Sequence, residues 1–285
     1  MRNEGVINLN KPKGITSFEA VRRIRKLLKR KVGHGGTLDP DASGVLPILV
    51  GKATRIQEYL RDLRKTYIAK IELGKETDTY DSSGKILRLG DFSKVSRGDV
   101  ERAISRFIGE VEQLPPPFSA IKYRGKPLYE LARKGEDVPL KPRRVIFYNI
   151  KLLSFSPPYI ELEVECGWGA YIRSLAKDIG NALGCGAHLK ELVRTRYGPM
   201  KIEEALRIED VYELVSRGED VFHPIDWVLQ HLPEVKIEDQ GFLFGRPIKI
   251  NMDFKGKVRV YKDDEFLGIG ESDGEILKPL KVLKV

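Results

Sequence analysis

The sequence predicts an α+β protein, because segments with helical spacing and segments with strand alternation follow one another without a regular repeat. The 285 residues carry a formal net charge of +9, and 41% of them are hydrophobic. This hydrophobic share is enough to build a core, so it excludes a chain that is disordered throughout. Towards the end of the chain the pattern changes to short strands and turns, which predicts a small β-rich domain.

The first predicted helix begins after Thr16, which forms the pattern of a capping box with Glu19. Its apolar residues share one face of the helix, and they are Val21, Ile24, Leu27 and Leu28. The opposite face is basic and carries Arg22, Arg23, Arg25, Lys26, Lys29 and Arg30. Such a face is consistent with RNA contact and equally with an ordinary solvated surface.

Two later segments alternate between apolar and polar residues, as a half-buried strand does. They span residues 66–73 and 159–166. A glycine-rich turn follows the second segment, and a helix is predicted from about Tyr171, with Gly184 near its end. Arg173 therefore lies on the first turn of a helix that follows a sheet strand, a common position for functional groups.

The stretch from Glu219 to Pro233 has the composition of a connection. Beyond it, short strands alternate with turns to the end of the chain. We therefore expect two domains, 1–231 and 232–285.

Composition also excludes several classes of protein. No apolar run approaches the roughly 18 residues that a membrane span requires, and the first residues lack the apolar core of a signal peptide, so we expect a cytoplasmic location. The four histidines and the two cysteines have no metal-ligand spacing, so we expect no metal site. The excess of basic residues points to a polyanion such as nucleic acid, or to the charged surface of a heat-adapted protein.

The segment 33–44, GHGGTLDPDASG, has the densest concentration of unusual residues in the chain. Asp39 precedes a proline, which favours an extended backbone, and lies on a glycine-flanked loop. A carboxylate held in this way is a credible catalytic group, although the same pairs of residues also occur in ordinary turns. Two other patterns do not hold up: 44–53 lacks the spacing of a P-loop, and 78–81 lacks the acidic spacing of a calcium loop.

The same stretch, continued as GHGGTLDPDASGVLPILVGKATR, resembles the catalytic-loop motif of the TruB family of tRNA pseudouridine synthases. Further segments resemble motifs of this family in the same order along nearly the whole chain: LNKPKG (9–14), KTY (65–67), GKETDT (74–79), PPFSAIK (116–122), YIRSL (171–175) and GCGAHL with LVRT (184–189 and 192–195). The run CGWGA (166–170) departs from the family's usual pattern, which puts phosphate contacts at that point in doubt.

The resemblance implies three catalytic residues. It makes Asp39 the catalytic aspartate, Arg173 the arginine that pairs with it, and Tyr67 the tyrosine that stacks on the target base. In the residues alone, Tyr67 also fits an ordinary strand core and Arg173 a helix surface.

The resemblance implies three substrate-binding residues as well. Lys11 would lie at the edge of the site, His34 near the flipped nucleotide, and Leu192 in an apolar wall of the pocket. Each residue also has a structural reading: Lys11 as a structural lysine, His34 as a cap of the loop, and Leu192 as plain core.

The implied fold is a mixed, largely antiparallel sheet of the pseudouridine synthase type with flanking helices, and a small β-barrel-like PUA domain that binds RNA. The implied activity is the isomerisation of the T-loop uridine at tRNA position 55, by a monomer that needs no cofactor, obligatory protein partner or membrane. Two other functions stay open: a guide-RNA-dependent pseudouridine synthase, and a non-catalytic tRNA-folding chaperone. The segment 118–139 resembles the bacterial enzymes and favours the stand-alone reading.

Overall fold

The backbone forms helices and strands in an irregular order. The computed structural model describes residues 2–119, 121–123, 125–133 and 140–283. The strands are β1 (Gly5–Lys11), β2 (Val32–His34), β3 (Ala42–Val50), β4 (Lys65–Leu73), β5 (Lys75–Thr77), β6 (Ile86–Leu89), β7 (Gly109–Gln113), β8 (Lys122–Tyr123), β9 (Lys126–Pro127), β10 (Arg143–Ser156), β11 (Tyr159–Cys166), β12 (Ala187–Tyr197), β13 (Met200–Lys201), β14 (Glu234–Lys236), β15 (Ile248–Lys249), β16 (Gly256–Lys262), β17 (Glu265–Ser272) and β18 (Ile276–Val282).

The α-helices are α1 (Ser17–Leu28), α2 (Arg97–Ser105), α3 (Leu128–Arg133), α4 (Ile172–Ala182) and α5 (Ile208–Ser216). Short 3-10 segments span Gly51–Asp62, Ile202–Glu204, Ile225–Leu229 and Gln240–Phe244. No helix in the described ranges is long and apolar enough to cross a membrane. The segment 118–139, which favours the stand-alone reading, falls partly outside the described residues.

The larger sheet follows the order β1-β3-β12-β4-β11-β10-β7, with β2 paired to β3 and β13 to β12. Its neighbouring strands are antiparallel, except that β3 and β12 run parallel. The predicted mixed, largely antiparallel sheet is confirmed. Helices α1, α2, α4 and α5 contribute apolar residues to its core, among them Ile24, Val100, Leu175 and Val211.

Strands β4 and β11 lie at the centre of this sheet and match the two alternating segments of the sequence. They pair antiparallel, with Tyr67 opposite Val164 and Lys65 opposite Cys166. Helix α4 begins shortly after β11 with Tyr171 as its N-cap residue, as predicted. This turn carries Arg173 back towards the centre of the sheet.

Helix α1 forms where the capping pattern predicts it, but its cap is simpler than predicted. The Thr16 hydroxyl accepts a hydrogen bond from the Glu19 backbone N–H at 3.0 Å. The Glu19 carboxylate accepts bonds from Arg22 and Arg23 instead of returning to the cap, so the predicted reciprocal box is wrong. Nearby cations compete successfully for the carboxylate because a surface carboxylate pairs with a guanidinium more strongly than with a neutral N–H.

The smaller sheet follows the order β14-β16-β17-β18-β15 and has its own apolar core, which includes Phe242, Val258 and Leu277. It also shares a second apolar cluster with the first part of the chain: Ile269 and Leu283 pack in the cluster that holds Tyr59 and Leu60. The sheet is therefore seated on the 3-10 segment 51–62. The division at 231/232 stays a prediction.

Candidate active site

Asp39 lies on the loop between β2 and β3, and backbone contacts fix the residues on both sides of it. The Ser17 hydroxyl at the start of α1 accepts a bond from the Leu38 N–H at 2.8 Å and donates to the Leu38 carbonyl at 3.0 Å. The Pro40 carbonyl accepts from the Gly14 N–H at 2.8 Å. Because both of its neighbours are tied down, the Asp39 carboxylate is held in one place before any ligand arrives.

Arg194 of β12 holds the other half of this loop from inside the protein. Its guanidinium is buried and donates to the carbonyls of Val45 at 2.6 Å and Gly36 at 3.0 Å. Strand register explains the contact, since Arg194 is opposite Gly44 on β3 and Tyr67 on β4. At Gly44, with φ +101°, a Cβ would lie 2.2 Å from the Arg194 carbonyl oxygen, so this close approach of β3 to β12 requires glycine.

The structure brings Asp39 and Arg173 together although they are 134 positions apart in the chain. Arg173 Nη2 donates to Asp39 Oδ1 at 3.3 Å, and Nε lies 2.9 Å from Oδ2. The Arg173 side chain is only 6% exposed, whereas that of Asp39 is 41% exposed. The arginine is thus a buried cation beneath a carboxylate that a ligand can reach.

Arg173 has further partners that fix its orientation. Its Nη2 donates to the Phe118 carbonyl at 3.0 Å and its Nη1 to the Thr79 carbonyl at 3.4 Å. Nη1 also lies 3.5 Å from Asp81 Oδ2. Arg173 therefore stands between two carboxylates, and the planar guanidinium serves both.

The charges around Asp39 influence its protonation. Although the Asp39 side chain is 41% exposed, the protein around it removes enough water from the carboxyl to raise its pKa, while Arg173 opposes the rise and the like charge of Asp81 reinforces it. Lys11 acts in the same direction as Arg173, and Asp41 weakly in the direction of Asp81. Asp39 therefore takes up a proton at higher pH than an ordinary aspartate.

A cavity of about 210 Å³ opens over the Asp39–Arg173 pair. It is lined by Lys13, Asp39, Asp41, Ala42, Asp81, Ser82, Ser83, Arg173, Leu189, Lys190, Glu191 and Leu192. This volume is below the roughly 300–1,000 Å³ typical of sites for drug-sized ligands. It therefore suits one small group, and both carboxylates and lysines contribute to its lining.

Of the predicted substrate residues, Leu192 lines this cavity and is half-buried. Lys11 does not line it. The Lys11 side chain is fully buried, and its Nζ donates to the carbonyls of Pro12 at 2.8 Å, Ile15 at 2.7 Å and Pro40 at 3.4 Å. Burial lowers the Lys11 pKa to about 8. Its bond to the Pro40 carbonyl ties β1 to the Asp39 loop.

Tyr67 and His34 are not among the residues that line the cavity. Tyr67 is buried on β4 with Arg194 6.0 Å from its ring centroid, and burial raises the pKa of its hydroxyl. The Asp39 charge adds to that rise, so the ring is within electrostatic range of the carboxylate. His34 Nδ1 is buried without a hydrogen-bond partner among the described residues, and burial lowers its pKa.

Sequence reasoning missed Asp81 and Arg194 as parts of this site. Asp81 belongs to the acidic stretch 78–81, which the sequence offered only as a rejected calcium loop. A β-bridge between Asp81 and Leu189 of β12 carries its carboxylate to the cavity. Arg194 stands in the LVRT segment, and that motif was the one signal that could have singled it out.

Comparison with known proteins yields close matches along the whole chain. A tRNA pseudouridine synthase B of Aquifex aeolicus is 42% identical over 287 residues, covering 98% of this chain and 99% of that protein. A protein of the same name from Dehalococcoides mccartyi strain 195 is 46% identical over 240 residues, covering 83% of this chain and 80% of its own.

Solved structures show the same architecture. A Cbf5–Nop10–Gar1 complex contains a chain with 31% identity and a TM-score of 0.77, with 98% of this chain and 85% of that one covered. An H/ACA RNP bound to a substrate RNA containing 2′-deoxyuridine gives 29% identity and a TM-score of 0.76, with coverage of 99% and 86%.

The family models divide the chain into three consecutive parts. The N-terminal domain of the TruB family pseudouridylate synthases matches residues 23–172, the tRNA pseudouridylate synthase B C-terminal domain matches 173–230, and the C-terminal region of pseudouridine synthase II TruB matches 233–283. The fold and these matches define a pseudouridine synthase. The chain belongs to the TruB family of pseudouridylate synthases.

Proposed function

We propose that this protein acts alone on transfer RNA and isomerises the T-loop uridine at tRNA position 55 to pseudouridine, with Asp39 as the catalytic carboxylate. One observation carries the proposal. The accessible Asp39 carboxylate lines a small cavity, is paired with the buried Arg173 guanidinium, and belongs to a loop whose residues on both sides of Asp39 are held by hydrogen bonds. The names of the relatives, tRNA pseudouridine synthase B, support tRNA as the substrate.

The proposed reaction breaks the glycosidic C–N bond, turns the base and joins C1′ to C5. No atom is gained or lost overall except for exchange of the C5 proton, so the proposal includes no redox cofactor and no nucleotide triphosphate. An ionised carboxylate can attack a carbon centre or stabilise positive charge at C1′. Arg173 holds Asp39 ionised and oriented in either case, and attack at the base and attack at the sugar are both compatible with this geometry.

A uridine in a folded loop must leave its stack before Asp39 can reach it. In the proposed complex the base enters the cavity between Leu192 and the Asp39 loop. Lys13 and Lys190 line the cavity, and in the proposed complex they bind phosphates of the RNA. The C-terminal segment 232–285 is proposed as the PUA-like RNA-binding module.

The proposal is tested by mapping pseudouridine at nucleotide resolution in a tRNA transcript incubated with the purified protein alone. We expect modification at position 55, and in an isolated T-arm hairpin as well, because the shape of the arm carries recognition. Modification that requires an added guide RNA would favour the guide-dependent alternative. Binding and refolding of tRNA without any pseudouridine would favour the chaperone.

Tyr67→Ala is expected to lower the single-turnover rate strongly. Tyr67→Phe should have a Kd for tRNA close to that of the wild type, so its loss of binding should be much smaller than the loss of activity in Tyr67→Ala. In the proposed complex the Tyr67 ring, which is buried and outside the lining of the cavity in the free protein, stacks on the base. Phe keeps the ring, and base–aromatic stacking contributes about 1–3 kcal/mol per base. The measurements are the rate at saturating protein and the Kd. A wild-type rate for Tyr67→Ala would remove Tyr67 from the site.

The pH dependence of the single-turnover rate should report the raised pKa of Asp39. The anion is the active form, so activity is lost as pH falls through that raised value, and the acid limb should lie above the ordinary range of aspartate. Asp81→Asn removes the like charge that raises this pKa, so its acid limb should move to lower pH.

Asp41→Asn provides the matched comparison for this shift. Asp41 contributes less than Asp81 to the Asp39 pKa, so its acid limb should move in the same direction by a smaller amount. If the acid limb of Asp81→Asn stays in place or moves to higher pH, the Asp81 charge does not raise the pKa of Asp39.

A further inference from the structure

A basic and aromatic surface lies outside the cavity, at the end of the central strands. It consists of Arg61 and Arg64 beside the start of β4, Tyr148 of β10 and Trp168 in the turn before α4; we name these four residues the rim patch. Trp168 is 56% exposed and Tyr148 37% exposed. Two large rings exposed on the same surface, each next to an arginine, form a patch of the kind that can mark a binding surface.

Each ring of the rim patch is accompanied by an arginine. The Arg64 guanidinium carbon lies 3.9 Å from the Tyr148 ring centroid, and that of Arg61 lies 5.2 Å from the Trp168 ring. Both distances are within the range of cation–π contact. Arg64 also lies 3.4 Å from Glu165, whereas Arg61 has no carboxylate partner among the residues the structure describes. Arginine interleaved with exposed aromatic rings is the chemistry of single-stranded nucleic-acid binding.

The turn that carries Trp168 is built to hold this ring outward. Gly169 has φ +89°, a conformation that L side chains rarely adopt, and at Gly167 a Cβ would lie 2.7 Å from the Ile146 side chain. The turn follows Cys166, which is opposite Lys65, and leads into α4 with Arg173 near its start. The ring is therefore fixed to the same framework that holds the catalytic pair.

The rim patch is also close to the proposed site of the flipped base. Val164 is opposite Tyr67, and the four residues from there to Trp168 span at most about 14 Å. Arg61 and Leu60 belong to the segment that meets the Asp39 loop, since the Tyr197 hydroxyl oxygen lies 3.0 Å from both the Leu60 and the Gly35 carbonyl oxygens and can donate to either one. Nucleotides next to the flipped one can thus reach the rim patch.

We propose that the rim patch is an RNA subsite, in which Trp168 stacks on an unpaired base of the substrate and Arg61 and Arg64 bind the adjoining phosphates. This inference rests on the proposed function, because it takes tRNA as the substrate. It assigns to this turn an aromatic contact with a base other than the one on which Tyr67 is proposed to stack.

The chain contains two tryptophans, Trp168 and Trp227. Trp227 is half-buried and stacks on His223 at 3.8 Å between ring centroids, so Trp227→Phe keeps an aromatic ring there and leaves Trp168 as the only fluorophore of its kind. When this variant is titrated with tRNA, we expect its Trp168 fluorescence to change, and the tRNA concentration at the midpoint of the change should equal the Kd measured by filter binding. Pseudouridine formation is measured on the same preparation.

Binding by variants completes the test. Trp168→Ala should raise the Kd at least about fivefold and Trp168→Phe much less, as a stacking contact requires. Arg61→Ala and Arg64→Ala should each reduce the slope of log Kd against log salt by about 1. Tyr212→Ala, an exposed aromatic of α5, is the control and should leave the Kd unchanged.

The outcomes separate this inference from the proposed function. If tRNA is bound and modified while Trp168 fluorescence or the Kd of Trp168→Ala does not change, the rim patch is not a subsite and the proposed function stands. If tRNA is neither bound nor modified, the proposed function fails and the subsite fails with it.

Discussion

Asp39→Asn should lower the single-turnover rate of pseudouridine formation by a factor on the order of 10⁶, the cost of losing a true nucleophile. Asn keeps the size and polarity of the side chain but removes the charge that Arg173 orients. Binding of tRNA should stay within about tenfold of wild type, because the loop is held by Ser17, Arg194 and Lys11 and not by the carboxylate itself. Raising the pH should not restore activity, since an amide does not become a carboxylate on titration.

Asp41→Asn is the matched control for this variant. Asp41 is on the same loop, lines the same cavity and is exposed, but Arg173 does not contact it. The single-turnover rate of Asp41→Asn, measured at a pH well above the acid limb of the profile, should stay within about tenfold of wild type. This small effect is expected because Asp41 does not belong to the Asp39–Arg173 pair. Near-normal chemistry in Asp39→Asn, with mass spectrometry excluding deamidation, would overturn the assignment of Asp39.

Arg173→Ala should lower the single-turnover rate by about 10² to 10³, the cost typical of removing one preorganised charge-stabilising group. The variant leaves Asp39 and Asp81 near each other without the cation between them, so the Asp39 pKa should rise further and its ionised fraction should fall. Raising the pH should therefore restore part of the activity, in contrast to Asp39→Asn. The rate is measured across pH on protein whose folding is checked by circular dichroism.

Arg173→Lys separates charge from geometry in the same experiment. Lysine keeps the positive charge, but its single ammonium group cannot contact the Asp39 carboxylate, the Asp81 carboxylate and the Phe118 carbonyl at the same time, as the planar guanidinium does. Its rate should fall between those of wild type and Arg173→Ala. A wild-type rate for Arg173→Ala, or no gain in its activity as pH rises, would show that Arg173 does not act through the protonation of Asp39.

The local elements around the site could be predicted because their signals lie within a few residues. Strict alternation identified β4 and β11, and the glycine turn before Tyr171 identified the start of α4. The capping box failed for a local reason of a different kind: the pattern contains the right residues, but Arg22 and Arg23 take the Glu19 carboxylate. Sequence spacing identifies possible partners and not the competition between them.

The pairing of Asp39 with Arg173 was predicted from family resemblance and could not come from spacing. The two residues lie on a loop and a helix that meet only because β3, β12, β4 and β11 are neighbours in the sheet. Asp81 reaches the pair through a bridge to β12, which leaves no periodic signal in the sequence. Arg194 and Lys11 are charged residues, which the sequence alone would place on the surface. Only the folded structure shows that both are buried and that hydrogen bonds to backbone carbonyls offset the cost of burying their charges.

Release of tritium from C5 of uridine tests the central claim most directly, because joining C1′ to C5 displaces that hydrogen. Bare tRNA labelled at C5 is incubated with excess protein, without guide RNA or a second protein, and release is followed for the wild type and for Asp39→Asn. The structure predicts release of the label from one uridine per tRNA by the wild type and none by Asp39→Asn, although both bind. Equal release by the two proteins, or release by the wild type only after a guide RNA is added, would contradict a stand-alone enzyme that works through Asp39.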